Sequence, residues 1–385
     1  MKDEKIVYVA YSPYENQGKV LDFILENFRY VFVFSIGHHN IGRDKVTNKL
    51  TIYKNKKKID EVDLYRFPIP SSLVFLLLPV RSFLNFMQIF VYVYKLKNKY
   101  NKLNIYFAVN GFAAWIGVVL KKFGLVEKNV YWVTDYYPIN HKSKIITFMR
   151  WLYWNFEKQT ADSDKLAFHN NRLVRVWKKE GVLSQNYKAI LIPIGTGRST
   201  FKKAKRYGKK VILCFLGVLK KTQGLDYIFD SAELLKKEFP NIVVEIIGPG
   251  PDRDYFEKRA EETKLECNFY GYVFEKDIDR IISNSTVGIA TYVPDPSNVS
   301  YYGDPGKIKR YISLGIPVIA TKIHEFSYEV EKKEAGILLE YGNSRQLVKA
   351  VKSIVGNYDK YCNNAIKLSK KLYYKKIYQP MFSLN

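Results

Sequence analysis

Cysteine and histidine are scarce in this chain of 385 residues, which holds three cysteines and five histidines. The cysteines stand far apart, at Cys214, Cys267 and Cys362, and none belongs to a C-x-x-C or Cys/His pattern with metal-ligand spacing. Disulfide-stabilised domains carry many regularly spaced cysteines, and structural zinc sites need clustered ligands. A disulfide framework is therefore excluded, and we expect no zinc site.

Acidic residues are also few, because 37 Asp and Glu face 62 Lys and Arg, which gives a formal net charge of +25. Such a surplus favours an anionic partner: nucleic acid, an anionic membrane surface or a phosphate-bearing substrate. The basic residues are dispersed, and no nucleic-acid-binding module is recognisable. We therefore expect no nucleic acid among the partners. The 47% of hydrophobic residues predicts a folded globular protein.

An uninterrupted apolar run of membrane-spanning length is missing. The most apolar stretch, residues 64–94, carries Pro79 and Arg81 near its middle, whereas a spanning helix needs about 20 mostly apolar residues without a central charge. The stretch is followed by three lysines: Lys95, Lys97 and Lys99. We interpret residues 64–99 as one or two amphipathic helices in a membrane interface, with lysines at lipid phosphates. A buried helix pair in a domain core is the alternative.

The N-terminus lacks the pattern of a secretory signal, since charged residues run directly into a short β-rich segment, Lys5–Ala10. Together with the membrane-interface segment, this predicts a cytoplasmic protein that is peripheral on the inner face of the cell membrane.

Strand and helix patterns alternate along both halves of the chain, which is typical of parallel α/β sheets. Residues 202–210 are basic and poor in apolar side chains, and we interpret them as a linker. The sequence thus predicts two Rossmann-like, doubly wound α/β domains facing a central crevice, at residues 1–200 and 207–365. Residues 366–385 form a tail that either packs back on the first domain or touches the membrane. Carboxyl ends of strands in such sheets bind ligands.

The most specific motif is YYGDPGKIKRYISLGIPVIAT, at residues 301–321. A glycine-rich turn feeds a predicted helix that begins near Lys307, and a helix N-terminus offers free N–H groups and partial positive charge to an anion. Lys307 adds a full charge in the first turn, and Arg310 lies one turn on, on the same face. An ordinary connection between a strand and a helix is the alternative.

This segment resembles the S/P-K-x-x-E-Y-x-A-x-G-x-P-V-I segment of nucleotide-sugar glycosyltransferases with the two-domain GT-B fold. Residues 211–252 are similar to the first βαβ unit of that family, with its G-x-L, G-L and G-x-G-P elements, and FYGYV at residues 269–273 is similar to its nucleobase loop. NGFAAWIGVVLKK and TDYYP in the first half match more loosely. The resemblance covers residues 5–355.

The resemblance implies a donor-binding set in which Gly18, from the first glycine-bearing loop, joins residues of the second half. The second-half set comprises Gly217, Gly250, Tyr272, Val273, Tyr302, Gly303, Asp304, Gly306, Lys307 and Arg310. The loop around Gly18 lacks a complete G-x-G-x-x-G, so no dinucleotide cofactor is indicated, and we expect no cofactor.

The chain departs from the family-4 pattern at the positions that carry charge. Val218 and Gln223 stand where the G-R-L-x-x-x-K-G element has an arginine and a lysine, and Tyr302 and Arg310 stand where an E-x7-E pair is found. The chain therefore resembles more closely the bacterial glucuronosyltransferase-like branch. There a lysine at the Lys307 position holds the diphosphate and a polar residue at the Arg310 position reaches the ribose. Donor sugar and stereochemical outcome stay open.

The implied activity is transfer of a hexosyl or glucuronosyl group from a nucleotide-diphosphate donor, expected to be a UDP-sugar, to a lipid-linked or polysaccharide acceptor in glycan biosynthesis. Backbone N–H groups and Lys307 would stabilise the charge of the departing diphosphate. The D-x-D spacings at Asp252–Asp254 and Asp162–Asp164 are read as helix starts or connections. We therefore expect no metal.

An inverting transfer also needs a base that accepts the proton of the acceptor hydroxyl. Asp135 follows the predicted strand VYWVT, at a carboxyl end, and is our first candidate. It could instead cap the next element or pair with a lysine. Glu15 in the first loop is the second candidate, while His38, His39, His141 and Asn110 are weaker ones.

Two other functions stay open. The missing arginine, lysine and glutamate would also fit a non-catalytic subunit that binds a sugar nucleotide. The charge of +25 and the many aromatic side chains would fit a nucleic-acid-binding protein.

Overall fold

The computed structural model describes residues 3–12, 14–37, 48–197 and 210–383. It divides into two compact units, one of Met1–Pro193 with Tyr374–Asn385 and one of Ile194–Tyr373. Each unit is an α/β structure built on its own largely parallel sheet, which confirms the predicted fold class. The predicted linker lies almost wholly outside the described residues.

Among the described residues of the first unit, eight strands form one sheet: β1 (Lys5–Tyr11), β2 (Tyr30–Ile36), β3 (Asn48–Lys54), β4 (Lys57–Leu64), β5 (Ile105–Ala108), β6 (Lys128–Val133), β7 (Lys165–Phe168) and β8 (Ile190–Leu191). Their order is β4-β3-β2-β1-β5-β6-β7-β8. In the described part of this unit, five helices accompany the strands: α1 (Val20–Asn27), α2 (Val74–Tyr100), α3 (Gly111–Lys122), α4 (Lys144–Lys158) and α5 (Asn171–Lys179).

The edge of this sheet departs from the parallel arrangement. β3 pairs antiparallel with both β2 and β4. The basic turn between β3 and β4 carries Asn55 and Lys56 at positive φ, as a tight hairpin connection requires. The remaining neighbours pair in parallel, and β1 lies between β2 and β5, where the strand order reverses.

In the second unit, six parallel strands of the described residues form the sheet: β9 (Val211–Leu216), β10 (Ile242–Ile247), β11 (Glu266–Gly271), β12 (Val287–Ala290), β13 (Val318–Thr321) and β14 (Gly336–Leu339). Their order is β11-β10-β9-β12-β13-β14. Residues 210–373 of this unit form eight helices: α6 (Asp226–Asp230), α7 (Ala232–Glu238), α8 (Arg253–Thr263), α9 (Glu275–Ser283), α10 (Gly306–Ser313), α11 (Glu325–Lys332), α12 (Ser344–Gly356) and α13 (Tyr358–Ser369).

One helix prediction needs correction. The pattern over residues 224–239 predicts one helix, but the structure has α6 and α7, which are separated at Ser231. The Ser231 hydroxyl donates to the Tyr227 carbonyl at 2.7 Å, a bond that competes with the regular helix ladder. Residues 74–100 form the single helix α2, which is one of the two arrangements predicted for this stretch, and the helix continues past Pro79 in its second turn.

The C-terminal tail packs on the first unit through α14 (Tyr374–Ile377) and α15 (Gln379–Phe382). The Tyr378 hydroxyl donates to the Gly18 carbonyl at 2.7 Å. Phe382 packs against Phe23, Phe28 and Phe107, with ring centroids 5.0–5.7 Å apart. Tyr378 and Phe382 are buried and therefore belong to the first unit's core.

Candidate functional site

The second unit brings its glycine-rich loops together at the carboxyl ends of β9, β10 and β11. Gly217 directly follows β9, has a φ of 151°, and donates its N–H to the Ile247 carbonyl at 2.9 Å. A Cβ atom at Gly250 would lie 2.3 Å from the Leu219 carbonyl oxygen, so only glycine fits there. β9 and β12 are neighbours at the point where the strand order reverses, which is the usual ligand position in such sheets.

Lys307, in the first turn of α10, points into this group of loops. Its Nζ lies 3.0 Å from the position that a Cβ at Gly217 would occupy. It donates to Gln223 Oε1 at 3.1 Å and stands 4.4 Å from the ring centroids of both Phe215 and Tyr292. Burial lowers the pKa of Lys307 to about 7. Because this pKa is close to neutral pH, the protonation state of Lys307 depends on nearby charges, and an approaching anion would favour the protonated form.

Gln223 is itself held by a chain of contacts. Its Nε2 donates to Ser300 Oγ at 2.9 Å, and the Ser300 carbonyl is 2.8 Å from His324 Nε2. The His324 ring packs edge-on against Tyr292, with centroids 4.5 Å apart. The lysine, the amide and the two rings thus form one closed set of contacts, of which the sequence predicted only Lys307.

Two predicted donor-binding residues make contacts within the protein. The buried Asp304 carboxylate accepts bonds from Lys309 Nζ and, at 2.6 Å, from the Ile194 N–H. Arg310 Nε donates to Asp279 Oδ1 of α9 at 2.6 Å. We therefore interpret Asp304 as a residue that fixes the turn before α10. A role of Arg310 at a ribose stays a prediction.

The other predicted donor residues lie in two connections of the second unit. Tyr272 and Val273 lie in the loop after β11, where Tyr272 is exposed and packs edge-on against Phe274 at 5.6 Å. Tyr302 and Gly303 lie in the turn that leads into α10, and Gly306 is the first residue of that helix. Their contacts with a ligand stay predictions.

The first unit holds a cavity of about 280 Å³ at the carboxyl ends of its central strands. Aromatic side chains dominate its lining: Tyr8, Tyr11, Tyr14, Trp132 and Tyr137. Polar groups at its wall are supplied by Ser12, Gln17, Thr134, Asp135 and His169. No lysine or arginine is among the described residues that line it.

Asp135 lines this cavity, one residue after Thr134 and two after the end of β6. Its side chain is exposed and accepts a bond from the Thr134 hydroxyl at 3.2 Å. No ion pair to Asp135 is found among the described residues. Packing of protein atoms around the cavity raises its pKa by desolvation, and the Thr134 bond opposes this. A carboxylate with a raised pKa at a cavity wall has the chemistry of a general base.

Glu15 and Gly18 do not line the cavity, although both belong to the loop that supplies Tyr14 and Gln17. The Glu15 carbonyl accepts a bond from the Tyr8 hydroxyl at 2.8 Å. Gly18, with a φ of 63°, is held through its carbonyl by Tyr378. The geometry therefore favours Asp135 over Glu15 as a base.

The weaker base candidates have local contacts. The Asn110 side chain caps α3 by accepting from the N–H groups of Phe112 and Ala113. His141 Nδ1 accepts from the Ser143 N–H at 3.0 Å. His38 and His39 lie outside the described residues. Within the described part of the chain, no group of three or more His, Cys, Asp or Glu is arranged to hold a metal ion.

Glu157, in the last turn of α4, is a carboxyl group that the sequence analysis missed. It accepts from the Tyr131 hydroxyl at 2.7 Å, and its side chain lies against Gly111 at the start of α3. Burial raises the pKa of Glu157 to about 8, and the charge of the nearby Asp135 adds to this effect. A usable signal was present, since Glu157 is the only acidic residue of α4.

The helix α2 exposes an apolar stripe along most of its length. Its members recur every three or four residues: Leu76, Val80, Phe83, Met87, Val91 and Tyr94. Leu76 is 61% exposed and Phe83 60%. Arg81 is buried instead and donates to the Phe67 carbonyl through Nε and Nη2, at 3.0 and 2.8 Å. By length and composition alone, α2 could cross a membrane, a test that core helices of soluble proteins also pass.

A second exposed apolar stripe lies on α4 and consists of Ile145, Phe148 and Trp151. The two helices contact each other where Ser82 of α2 shares a hydrogen bond with Tyr153 of α4. The α2 residues Phe86 and Phe90 face Trp115 and Phe123 instead, at 5.6 and 5.4 Å between ring centroids. Both are half-buried and belong to the packing between helices.

Comparison with known proteins finds a family match for the second half of the chain. Residues 198–372 match the family described as glycosyl transferases group 1. An uncharacterized glycosyltransferase of Haemophilus influenzae (strain ATCC 51907 / DSM 11121 / KW20 / Rd) is 24% identical over 160 residues, which cover 41% of this chain and 43% of that protein. The chain thus aligns with less than half the length of this relative.

Solved structures share the fold across nearly the whole chain. HepE of Anabaena, solved in complex with UDP, has a TM-score of 0.63 at 14% identity, covering 96% of this chain and 95% of that one. Sucrose-phosphate synthase from Thermosynechococcus elongatus has a TM-score of 0.68 at 15% identity, covering 98% and 96%. The predicted resemblance to glycosyltransferases of the GT-B fold is confirmed, and the matched domain supports the prediction of a glycosyltransferase.

Proposed function

We propose that this chain, whose residues 198–372 match glycosyl transferases group 1, transfers a sugar from a nucleotide-diphosphate donor to a membrane-bound, lipid-linked glycan. The part of the proposal that concerns the donor rests on the position of Lys307. This buried cation has its Nζ beside the Gly217 turn, at the carboxyl ends of the strands. UDP is bound in the structure of HepE, which has the same fold. We therefore take a UDP-sugar as the donor.

The acceptor half of the proposal rests on the cavity of the first unit. Aromatic faces and hydroxyl groups suit a sugar ring, which presents both C–H surfaces and hydroxyls. The absence of Lys and Arg from its described lining disfavours a phosphate at this point. Asp135 would accept the proton of the attacking hydroxyl as the bond to the donor sugar forms and the diphosphate leaves.

The membrane part of the proposal rests on the two apolar stripes of α2 and α4. Exposed lysines accompany them: Lys95, Lys99, Lys142 and Lys144. Peripheral membrane binding has two sources: apolar side chains that enter the bilayer interface, and cations that lie near lipid phosphates. We expect the protein to dock on an anionic bilayer through this surface, on the cytoplasmic face, where a lipid-linked acceptor presents its head group.

The experiment is a donor screen read by release of nucleoside diphosphate, with anionic vesicles that carry a lipid extract as acceptor source. Release from one UDP-sugar, stimulated by the extract, is the expected result. Retention on UDP-agarose without any release would support the non-catalytic subunit instead. Retention on heparin or DNA columns, with no affinity for UDP-agarose, would contradict the proposal and favour nucleic-acid binding.

A further inference from the structure

The contacts of Lys307 depend on one neighbouring side chain, Gln223. The Nζ of Lys307 is 3.1 Å from Gln223 Oε1, and the opposite end of the amide donates to Ser300 Oγ at 2.9 Å. These two bonds fix which end of the amide faces the lysine, since an oxygen accepts from the ammonium and a nitrogen donates to the hydroxyl. The amide therefore presents an acceptor to Lys307 and does not add charge.

The other groups around Lys307 are apolar or neutral. The rings of Phe215 and Tyr292 lie 4.4 Å from Nζ, and the thiol of Cys214 is the titratable group whose charge would act on it. No carboxylate forms an ion pair with Lys307 within the described residues. Ring faces attract a cation without fixing its direction, whereas a hydrogen bond does fix it.

We propose that Gln223 is a positioning residue that holds the Lys307 ammonium beside the Gly217 turn, so that this cation meets the diphosphate of the donor. The proposal rests on the proposed function. The amide of Gln223 accepts a hydrogen bond from Lys307, whereas a second lysine at this position would offer no acceptor. Two ammonium groups about 3 Å apart in a buried site would each oppose protonation of the other.

Gln223→Met keeps the length of the side chain and removes the acceptor. We expect UDP affinity to fall about fivefold to tenfold, UMP affinity to fall less, and uridine affinity to stay unchanged. Ser300→Ala should shift affinities in the same direction by a smaller factor. Ser297→Ala, an exposed hydroxyl in the same loop, is the matched control and should change nothing. Equal losses for UDP and uridine would overturn the proposal, because they would indicate a merely structural role.

Two further variants separate positioning from charge. Gln223→Lys should weaken UDP binding, whereas a gain in affinity would overturn the proposal by showing that the site lacks only a second cation. Gln223→Met should have no further effect in a Lys307→Met background, because it acts through the lysine. A wild-type protein that binds no nucleoside diphosphate would instead refute the proposed function, so the two failures are distinguishable.

Discussion

The two candidate sites differ in the chemical groups that form them. The site of the second unit consists of glycine turns, backbone groups and one buried cation held by an amide. The cavity of the first unit consists of aromatic rings, hydroxyls and one carboxylate, without a cation among its described lining residues. Under the proposed function, we expect the anionic part of a substrate to bind at the second unit, and the proton of a neutral hydroxyl to be removed at the first.

The largest effect should come from the carboxylate. Asp135→Asn keeps the shape of the side chain and removes the base, so turnover should fall by roughly 10²–10⁴-fold in a nucleoside diphosphate release assay. Because desolvation raises the pKa of Asp135, the acid limb of the wild-type profile should lie above the ordinary aspartate range. Glu15→Gln is the matched control and should retain turnover. A loss in the control alone would transfer the catalytic role to Glu15.

The surface of α2 should give the next largest effect. Changing Leu76, Phe83 and Met87 to Ser removes three exposed apolar side chains and should weaken binding to phosphatidylserine vesicles about tenfold or more. Nucleotide affinity should not change, because these residues belong to the first unit. Tyr328→Ser, an exposed ring on α11, is the control. Cosedimentation that is equal for the triple variant and wild type would remove the membrane from the account.

The pH dependence of donor binding is a smaller test of the buried cation. The pKa of Lys307 in the free protein is about 7, so the lysine is charged below pH 7 and loses its proton as the pH rises. UDP favours the charged form, and its phosphates are fully ionised above pH 7. Affinity should therefore fall between pH 7 and 9, by up to about tenfold per pH unit. A flat profile would contradict a lowered pKa.

The tail should give the smallest effect. Tyr378→Phe removes the hydrogen bond to the Gly18 carbonyl and should lower the free energy of unfolding by about 1 kcal/mol. The ring contacts with Phe23 and Trp132 would remain. Tyr373→Phe, just before the tail helices, provides a comparison in thermal unfolding. An unchanged melting temperature in Tyr378→Phe would show that this bond does not anchor the tail.

The sequence predicted the local features of the two candidate sites but not the contacts between residues that are distant along the chain. Both sheets and the turn before α10 followed from local patterns, because strand alternation and a glycine-rich turn are written in consecutive residues. Lys307 could be found for the same reason. Gln223 and Ser300 could not, since 77 positions separate them and only the fold brings them together. Glu157 was missed because its partner Tyr131 lies on β6, 26 positions away.

The surface of α2 shows the same limit. The sequence predicted an amphipathic segment, but it could not separate exposed Phe83 from Phe86 and Phe90, which pack on α3 and the turn after it. Helical spacing places all three near one another, and the position of the neighbouring helix decides which ring is covered. Arg81, predicted as an interruption of the apolar run, is buried against a carbonyl.

The central claim is that the second unit binds the diphosphate and the first unit supplies the base. It is tested most directly by calorimetric titration of UDP into Asp135→Asn and Lys307→Met, side by side with wild type. Lys307→Met should lose about 1.5–3 kcal/mol of binding free energy, the value of a hydrogen bond to a charged group. Lys220→Met removes an exposed cation from the loop after β9 that contains Gly217, and this variant should bind UDP normally. Asp135→Asn should bind UDP like wild type. Equal losses in Asp135→Asn and Lys307→Met, or normal binding by Lys307→Met, would contradict the account.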